Sequence, residues 1–454
     1  MSGRTLPPGW HETTLGEVCS KPQYGWTTSA SNQGKIRLLR TTDISSGPID
    51  WETVPFCLDP PPHPDKYLLA DGDIVVSRAG SVGISYLLRD PQEAVFASYL
   101  IRFRPKPTVD AVYVAYYLQS PAYWELIRGN TAGIAMPNVN ASKLEAFRLP
   151  LAPLSEQRRI VAEIEKQFTR LDAGVAALRR VQVNLKRYRA SVLKAACEGK
   201  LVPTEAELAR AEGREYESGA TLLERILAER RGSWVGRGQY KEPAAPNVIG
   251  LPGLPEGWCW ATVEQVTAQV ADVDHKMPRP ADTEIRYVST RDFTYPDGID
   301  FSKAKTISRV DYDALSRKIR PEEGDILLSR YGTVGVVRIV RTDRKFQASY
   351  SIAIVKTLRA SDITGYLAIA LRSDFMQKQM LRDVRASAQP DLGLAHIKLF
   401  AVPLPPFAEQ QRIVAEVERR ISVIDGLQAV LSTNLQRAAR LRQAVLQRAF
   451  SGEL

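Results

Sequence analysis

The segment LPLAPLSEQRRIVAEIE at residues 149–165 returns almost unchanged as VPLPPFAEQQRIVAEVE at residues 402–418. Traced outward, the echo widens. LPPGW at 6–10 is matched by LPEGW at 254–258, GDIVVSRAGSVGI from Gly72 by GDILLSRYGTVGV from Gly324, and ASY at 97–99 by ASY at 348–350. Downstream, VLKAACEGKL ends at Leu201 and VLQRAFSGEL at Leu454. Several motifs in one order, at a nearly constant offset, make the chain a tandem duplication. Whatever it folds into must be built twice.

Each repeat has two parts. Residues 1–150 and 254–404 read as mixed α/β (α+β) domains: short strand-like runs such as Ile74–Ser77 and Ile326–Ser329 lie between Gly, Pro, Asp and Ser clusters. Residues 151–201 and 405–454 each read as one long helix. Pro150 and Pro153, and Pro403, Pro405 and Pro406, precede the two helices, no proline interrupts them, and Gly199 and Gly452 follow them. Both carry a heptad stripe. In the first it runs through Val161, Ile164, Phe168, Leu171, Val175, Leu178, Leu185 and Val192, with Gln182 and Arg189 as breaks. In the second it runs through Val414, Val417, Ile421, Ile424, Leu431, Leu435, Ala438 and Val445, with Gln428 and Arg442 as breaks. Such a stripe suits a coiled coil, the alternative being two amphipathic helices packed on separate cores. A helix of this length spans roughly 65 Å, so the second must run back along the first. The expected architecture is an antiparallel pair of long helices with a globular domain at each end, related by a pseudo-twofold axis. The connector, 202–253, is expected to hold one short helix opened by a capping box at Thr221–Glu224 and running to about Arg231. A Gly- and Pro-rich tether with no chemistry follows it.

Composition narrows the function classes. The 454 residues are 44% hydrophobic and 25% charged, an ordinary balance for a folded chain. No apolar run is long enough to span a bilayer, and MSGRTLPPGW lacks the apolar core of a signal peptide; a cytoplasmic location is expected. Cys19, Cys57, Cys197 and Cys259 form no C-x-x-C pair and only four histidines occur, a pattern for isolated thiols rather than zinc or disulfides. The net charge of +10 favours a polyanionic partner.

Catalytic signatures fail in turn. GSVGIS and GTVGVV do not complete a dinucleotide loop, and Gly199-Lys200 is followed by leucine rather than a P-loop Ser or Thr. DPPP at 59–62 carries proline where an amino-methyltransferase motif needs an aromatic ring to stack its base, and it reads as a turn. With no catalytic constellation in either repeat, a binding role leads over a methyltransferase or nuclease. A coiled-coil scaffold with two protein-binding heads is the other non-catalytic alternative.

The plan of variable domain, PLxPLxEQxxIVxE helix and GKL/GEL ending, written twice, resembles the specificity subunit of type I restriction–modification systems over essentially the full length. That resemblance implies a non-catalytic DNA-binding subunit of a phage-defence system. Each target-recognition domain would read one half of a split, asymmetric site in double-stranded DNA, and the helices would act as a ruler. Two methyltransferase subunits would dock on it and bring S-adenosylmethionine for adenine methylation. Two motor-nuclease subunits would join with ATP and Mg. No cofactor or metal is expected on this chain.

Base readout needs forked or amide side chains in loops at strand ends. In the first domain the candidates are Tyr24, Arg40, Thr41, Thr42, Arg78, Asn138 and Asn140; in the second, Lys276, Arg291, Arg330, Tyr331, Gln389 and Asp391. Arg78 and Arg330 occupy matching positions and are expected to share a phosphate contact, while their neighbours Ala79 and Tyr331 differ. The duplicated Glu156, Gln157 and Arg159, with Glu409, Gln410 and Arg412, suit docking of two identical partners. Charge at a helix N-terminus explains the glutamates alone.

Overall fold

The computed structural model describes residues 6–45, 47–131, 138–235, 238–275, 277–294, 297–358, 361–384 and 390–454. It divides into two compact units that interleave the sequence. One comprises 1–180 with 431–454, the other 181–430.

In the first unit a four-stranded antiparallel sheet runs in the order Gln23–Tyr24, Leu100–Phe103, Ile74–Ser77, Ser85–Leu87. A second sheet holds Arg37–Leu39 parallel to Ala94–Phe96. His11–Thr14 pairs with Arg148–Leu151 and closes the domain at its neck. Ile74, Val75 and Val76 are wholly buried, so this strand is apolar on both faces rather than alternating. Ile74, Val76, Ile101 and Phe103 share a core with Tyr113, Tyr117 and Tyr123. The core is completed by residues from both long helices, Ile160, Ile164 and Phe168 of one and Leu446 and Ala449 of the other, with Phe450 just beyond its end. The Phe450 ring meets Tyr113 and Tyr117 edge-on, at 5.0 and 5.3 Å between centroids.

The second unit repeats the plan. Its four-stranded sheet runs Gln269–Ala271, Ile352–Lys356, Ile326–Ser329, Val337–Ile339, and Arg286–Val288 lies parallel to Phe346–Ala348. Cys259–Thr262 pairs with Ala401–Leu404. Val192, Leu193, Ala196 and Cys197 from the end of the first long helix enter its core beside Ile413 and Val417 of the second.

The long helices span Leu154–Cys197 and Phe407–Ala449. Within the first unit the start of one lies against the end of the other, so the two run antiparallel there. The heptad breaks mark where they are tied. Arg442 pairs with Asp172 at 2.9 Å and lies over the Phe168 ring at 3.9 Å. In the second unit Arg189 pairs with Asp425. Gly452 and Gly199 have positive φ of 75° and 65°. A Cβ on either would collide with a proline ring, Pro7 and Pro255 respectively, so only glycine lets each helix end close onto its domain.

The connector departs from expectation. Its helix begins at Gly219, not Thr221, because Ser218 is the cap and its Oγ accepts from the Thr221 amide at 3.1 Å. An additional helix, Glu205–Glu212, opens on a capping box formed by Thr204 and Glu207 and stops at Gly213 in the left-handed conformation. Nor is the connector only a tether: Leu222 and Ile226 are wholly buried in the second unit's core. The segment beyond it fits the tether reading better, with Trp234, Val235 and Ile249 exposed.

Candidate nucleic-acid interface

The repeated GDI…S…G…G motif builds a loop rather than a reacting group. Asp73 binds Arg104 through two hydrogen bonds of 2.7 and 3.0 Å, and Asp325 binds Lys356 at 2.6 Å. These pairs anchor the start of each strand. At the strand end the serine folds the loop back. Ser77 Oγ accepts from the Ile84 amide at 3.0 Å and Ser329 Oγ from the Val336 amide at 2.8 Å. Gly80, Gly83, Gly332 and Gly335 have φ between 74° and 87°, which only glycine adopts cheaply. Each loop presents an arginine, Arg78 or Arg330.

In the first unit Arg78 sits among candidates that are distant in sequence. Its carbonyl accepts from Val139, its amide donates to Tyr99, and Ala79 bridges to Asn138. Its guanidinium lies 4.9 Å from the centre of the Tyr24 ring, and the Tyr24 hydroxyl is held by the Ala141 amide at 2.9 Å. Arg78 is half-buried, and among the described residues its buried Nε has no hydrogen-bond partner and no carboxylate pairs with it. Tyr99 is 60% exposed and Tyr24 39%; Asn138 is exposed too. Asn140 has a structural task, accepting from Lys143 as the cap of helix Ala141–Glu145.

In the second unit the matching arginine is consumed internally. Arg330 binds Asp272 at 3.2 Å and Asp391 at 2.9 Å, and donates to the carbonyls of Leu392 and Tyr350. Its side chain is 7% exposed. The expected shared phosphate contact is therefore corrected for Arg330: with its charge neutralised and its donors directed inward, it braces the loop. At the rim, His275 stacks on Tyr350 at 4.8 Å and Tyr331 lies 5.9 Å from the same ring.

Arg40 is also engaged. Asp43 takes two hydrogen bonds from its guanidinium, at 2.8 and 3.1 Å, and this carboxylate raises the Arg40 pKa further. Thr41 opens the short helix Thr41–Ile44 and Thr42 is exposed on it. This turn follows the parallel strand, and Ala97 donates to Leu39, which places it beside the Tyr99 segment. Arg291, in the turn Thr290–Asp292, is exposed at the matching place of the second unit. Lys276 and Gln389 lie outside the described residues.

Sequence reasoning passed over Tyr99, His275, Tyr350 and Asp272. The duplicated ASY triplet was the available signal for the two tyrosines; nothing local marks His275 or Asp272.

The expected docking set divides by burial. Gln157 is buried, donating to Ala152 and accepting from the Asp110 amide. Gln410 is buried and donates to Pro405 at 2.9 Å. Glu409 is wholly buried, accepting from Trp258 Nε1 at 3.0 Å and the Glu205 amide at 2.9 Å. Burial raises its pKa. These three side chains offer no surface, so the docking expectation is corrected for them: the motif starts the helix and fastens it to the domain. Glu156, Arg159 and Arg412 remain partly accessible.

A family model described as the type I restriction modification DNA specificity domain matches residues 7–175 and again 282–429. The EcoBI specificity subunit of Escherichia coli, from a type I restriction enzyme, is 25% identical over 343 residues, which are 75% of this chain and 65% of that protein. The EcoKI specificity subunit of Escherichia coli strain K12 is 23% identical over 471 aligned residues, covering 100% of this chain and 91% of that one. A solved chain, described as showing complex assembly and conformational transition of the type I R-M system, shares the fold. Its TM-score is 0.63 at 19% identity, over 99% of this chain and 100% of that chain.

Proposed function

The chain belongs to the family of type I restriction modification DNA specificity domains, and on that premise we propose that it is the sequence-reading subunit of a type I restriction–modification complex. The family's role is recognition, not catalysis. Each unit reads one half of a bipartite, asymmetric site in double-stranded DNA, and the paired helices set the gap between the halves. Two methyltransferase subunits dock on the chain and two motor-nuclease subunits join through them. S-adenosylmethionine, ATP and Mg belong to those partners, and the complex acts in the cytoplasm.

The observation that carries this reading is one scaffold with two different rims. The same strand order and the same serine–glycine loop display Tyr24, Arg78, Tyr99 and Asn138 in one unit, and His275, Tyr331 and Tyr350 in the other. Two half-sites of different sequence require such a pair, because specificity comes from groups at base edges while the scaffold only positions them. Docking is supported by a second apolar stripe. Val423, Leu427 and Val430 follow helical spacing and are exposed, as are Val181 and Tyr188 on the other helix. These suit apolar partner helices better than the buried start of the motif does.

The test is reconstitution. The chain alone should transfer no methyl group. Mixed with its methyltransferase, it should give one specificity chain per two methyltransferases and adenine methylation at a single bipartite sequence. Methyl transfer by the isolated chain, or a native mass with one methyltransferase, contradicts the proposal.

A further inference from the structure

The register of the two four-stranded sheets aligns Tyr24 with Asp272: Tyr24 pairs with Ile101, which faces Val76, and Asp272 follows Ala271, one step on towards Ala353, which faces Leu328. The isolated bridges align Asn138 with Asp391 in the same way. One arginine position therefore has two different linings. In the second unit it is lined by two carboxylates, which take Arg330 at 3.2 and 2.9 Å. In the first it lies over a ring face, and the position that matches Asp391 is an exposed asparagine.

The physical consequence is a difference of charge at matched places. A tyrosine face attracts a guanidinium through its quadrupole and holds it in place without cancelling its charge. Two carboxylates offset it and, together with the Leu392 and Tyr350 carbonyls, occupy the donors of Arg330, Asp272 also binding Lys318 at 3.1 Å. Arg78 thus keeps a net positive charge on a half-buried side chain positioned over the Tyr24 ring, with no carboxylate paired to it among the described residues. Polar groups so placed call for a partner. The surrounding surface offers exposed Tyr24, Tyr99 and Asn138 but, among the described residues, no carboxylate bound to the arginine.

Resting on the DNA-reading function proposed above, we infer that Arg78 on Tyr24 is a seat for a DNA backbone phosphate in the first unit only, and that Asp272 and Asp391 are the second unit's built-in replacements for that anion. The two units then grip DNA unequally. The first adds a phosphate clamp that sets register on the duplex, and the second approaches its half-site through the aromatic rim of His275, Tyr331 and Tyr350.

The experiment uses the full chain assembled with its methyltransferase partner and a duplex carrying the site that methylation mapping assigns to the complex. Affinity is measured by fluorescence anisotropy across salt concentration. Each phosphate neutralised contributes about 0.9 to the slope of log K against log salt. Arg78→Gln, and separately Tyr24→Asp with Asn138→Asp, should each lower that slope by about one phosphate's worth. Asp272→Tyr with Asp391→Asn, which gives the second unit the first unit's lining, should raise it by about as much. The Tyr24 and Asn138 changes lie on exposed side chains, so they remain informative if the Asp272 variant does not fold. Unchanged slopes in both first-unit variants overturn the inference while leaving DNA reading intact. An equal loss of slope in Arg330→Gln also overturns it. A wild-type complex that does not bind the duplex at all defeats the DNA-reading function itself, and the inference with it.

Discussion

The two long helices start with the same residues in different surroundings. At the second start, Glu409 is sealed beneath the connector helix Glu205–Glu212 and closes the hydrogen bond of the Trp258 indole. Arg412 ties the same spot to Glu205 at 2.7 Å. At the first start, Glu156 is half-buried beside Arg159, which donates to the Leu454 carbonyl. Trp10, the counterpart of Trp258, has an indole nitrogen with no partner among the described residues. An identical motif therefore does not make an identical site. What the motif preserves in both places is the buried glutamine at the first turn, and the remainder is set by what each unit packs on top.

The largest expected effect sharpens this contrast. Glu409→Ala strands the Trp258 indole and the Glu205 amide, at a cost of about 3 kcal/mol. Glu156→Ala should stay within about 0.5 kcal/mol. Urea unfolding of the intact chain, followed by tryptophan fluorescence, measures both, and equal losses would break the comparison. Next comes the indole pair. Trp258→Phe leaves a buried carboxylate short of a donor, whereas Trp10→Phe removes a donor that was unpaired. The first should cost about 1–2 kcal/mol more than the second in the same measurement. A smaller difference separates the glutamines. Gln157 uses both ends of its amide, while the buried Gln410 carbonyl oxygen has no partner among the described residues. Gln157→Ala should be more destabilising than Gln410→Ala by about 1 kcal/mol.

The smallest effect is pH-dependent. Because burial raises the Glu409 pKa in the folded chain, the folded state takes up this proton at a higher pH than the unfolded state does. The stabilisation linked to Glu409 is thus fully present below its unfolded value near 4.5 and is lost as pH rises through the folded value. Compared with Glu409→Gln, the wild type should gain stability as pH falls through the folded value towards 4.5. Parallel pH dependence in the two proteins would remove the burial argument.

The same contrast explains what could be read before the structure was known. The duplication, the proline-flanked helices and the antiparallel pairing rest on local spacing. Arg189 and Arg442, visible only as breaks in the stripe, prove to be the ties to Asp425 and Asp172. The capping box at Thr204 and Glu207 was equally local and was passed over, while the one at Thr221 was displaced by Ser218 because Gly219 is drawn onto the Gly257 carbonyl. The fate of the matched arginines was not local. Arg330 meets Asp272 and Asp391 from 58 and 61 residues away, through strand pairing that no short motif encodes. Matched sequence suggested a matched role, and the long-range carboxylates removed it. Burial of Glu409 depends likewise on Trp258, 151 residues before it.

The central claim, one reader per unit, is tested most directly by exchanging a reader at its neck. Strand His11–Thr14 pairs with Arg148–Leu151, and His11 faces Leu151, so residues 11–151 enter and leave the fold at neighbouring points. Replacing them with the corresponding segment of another family member and mapping adenine methylation across a genome should change one half of the recognised sequence, with the other half preserved. A change in both halves, or in neither, would contradict the account.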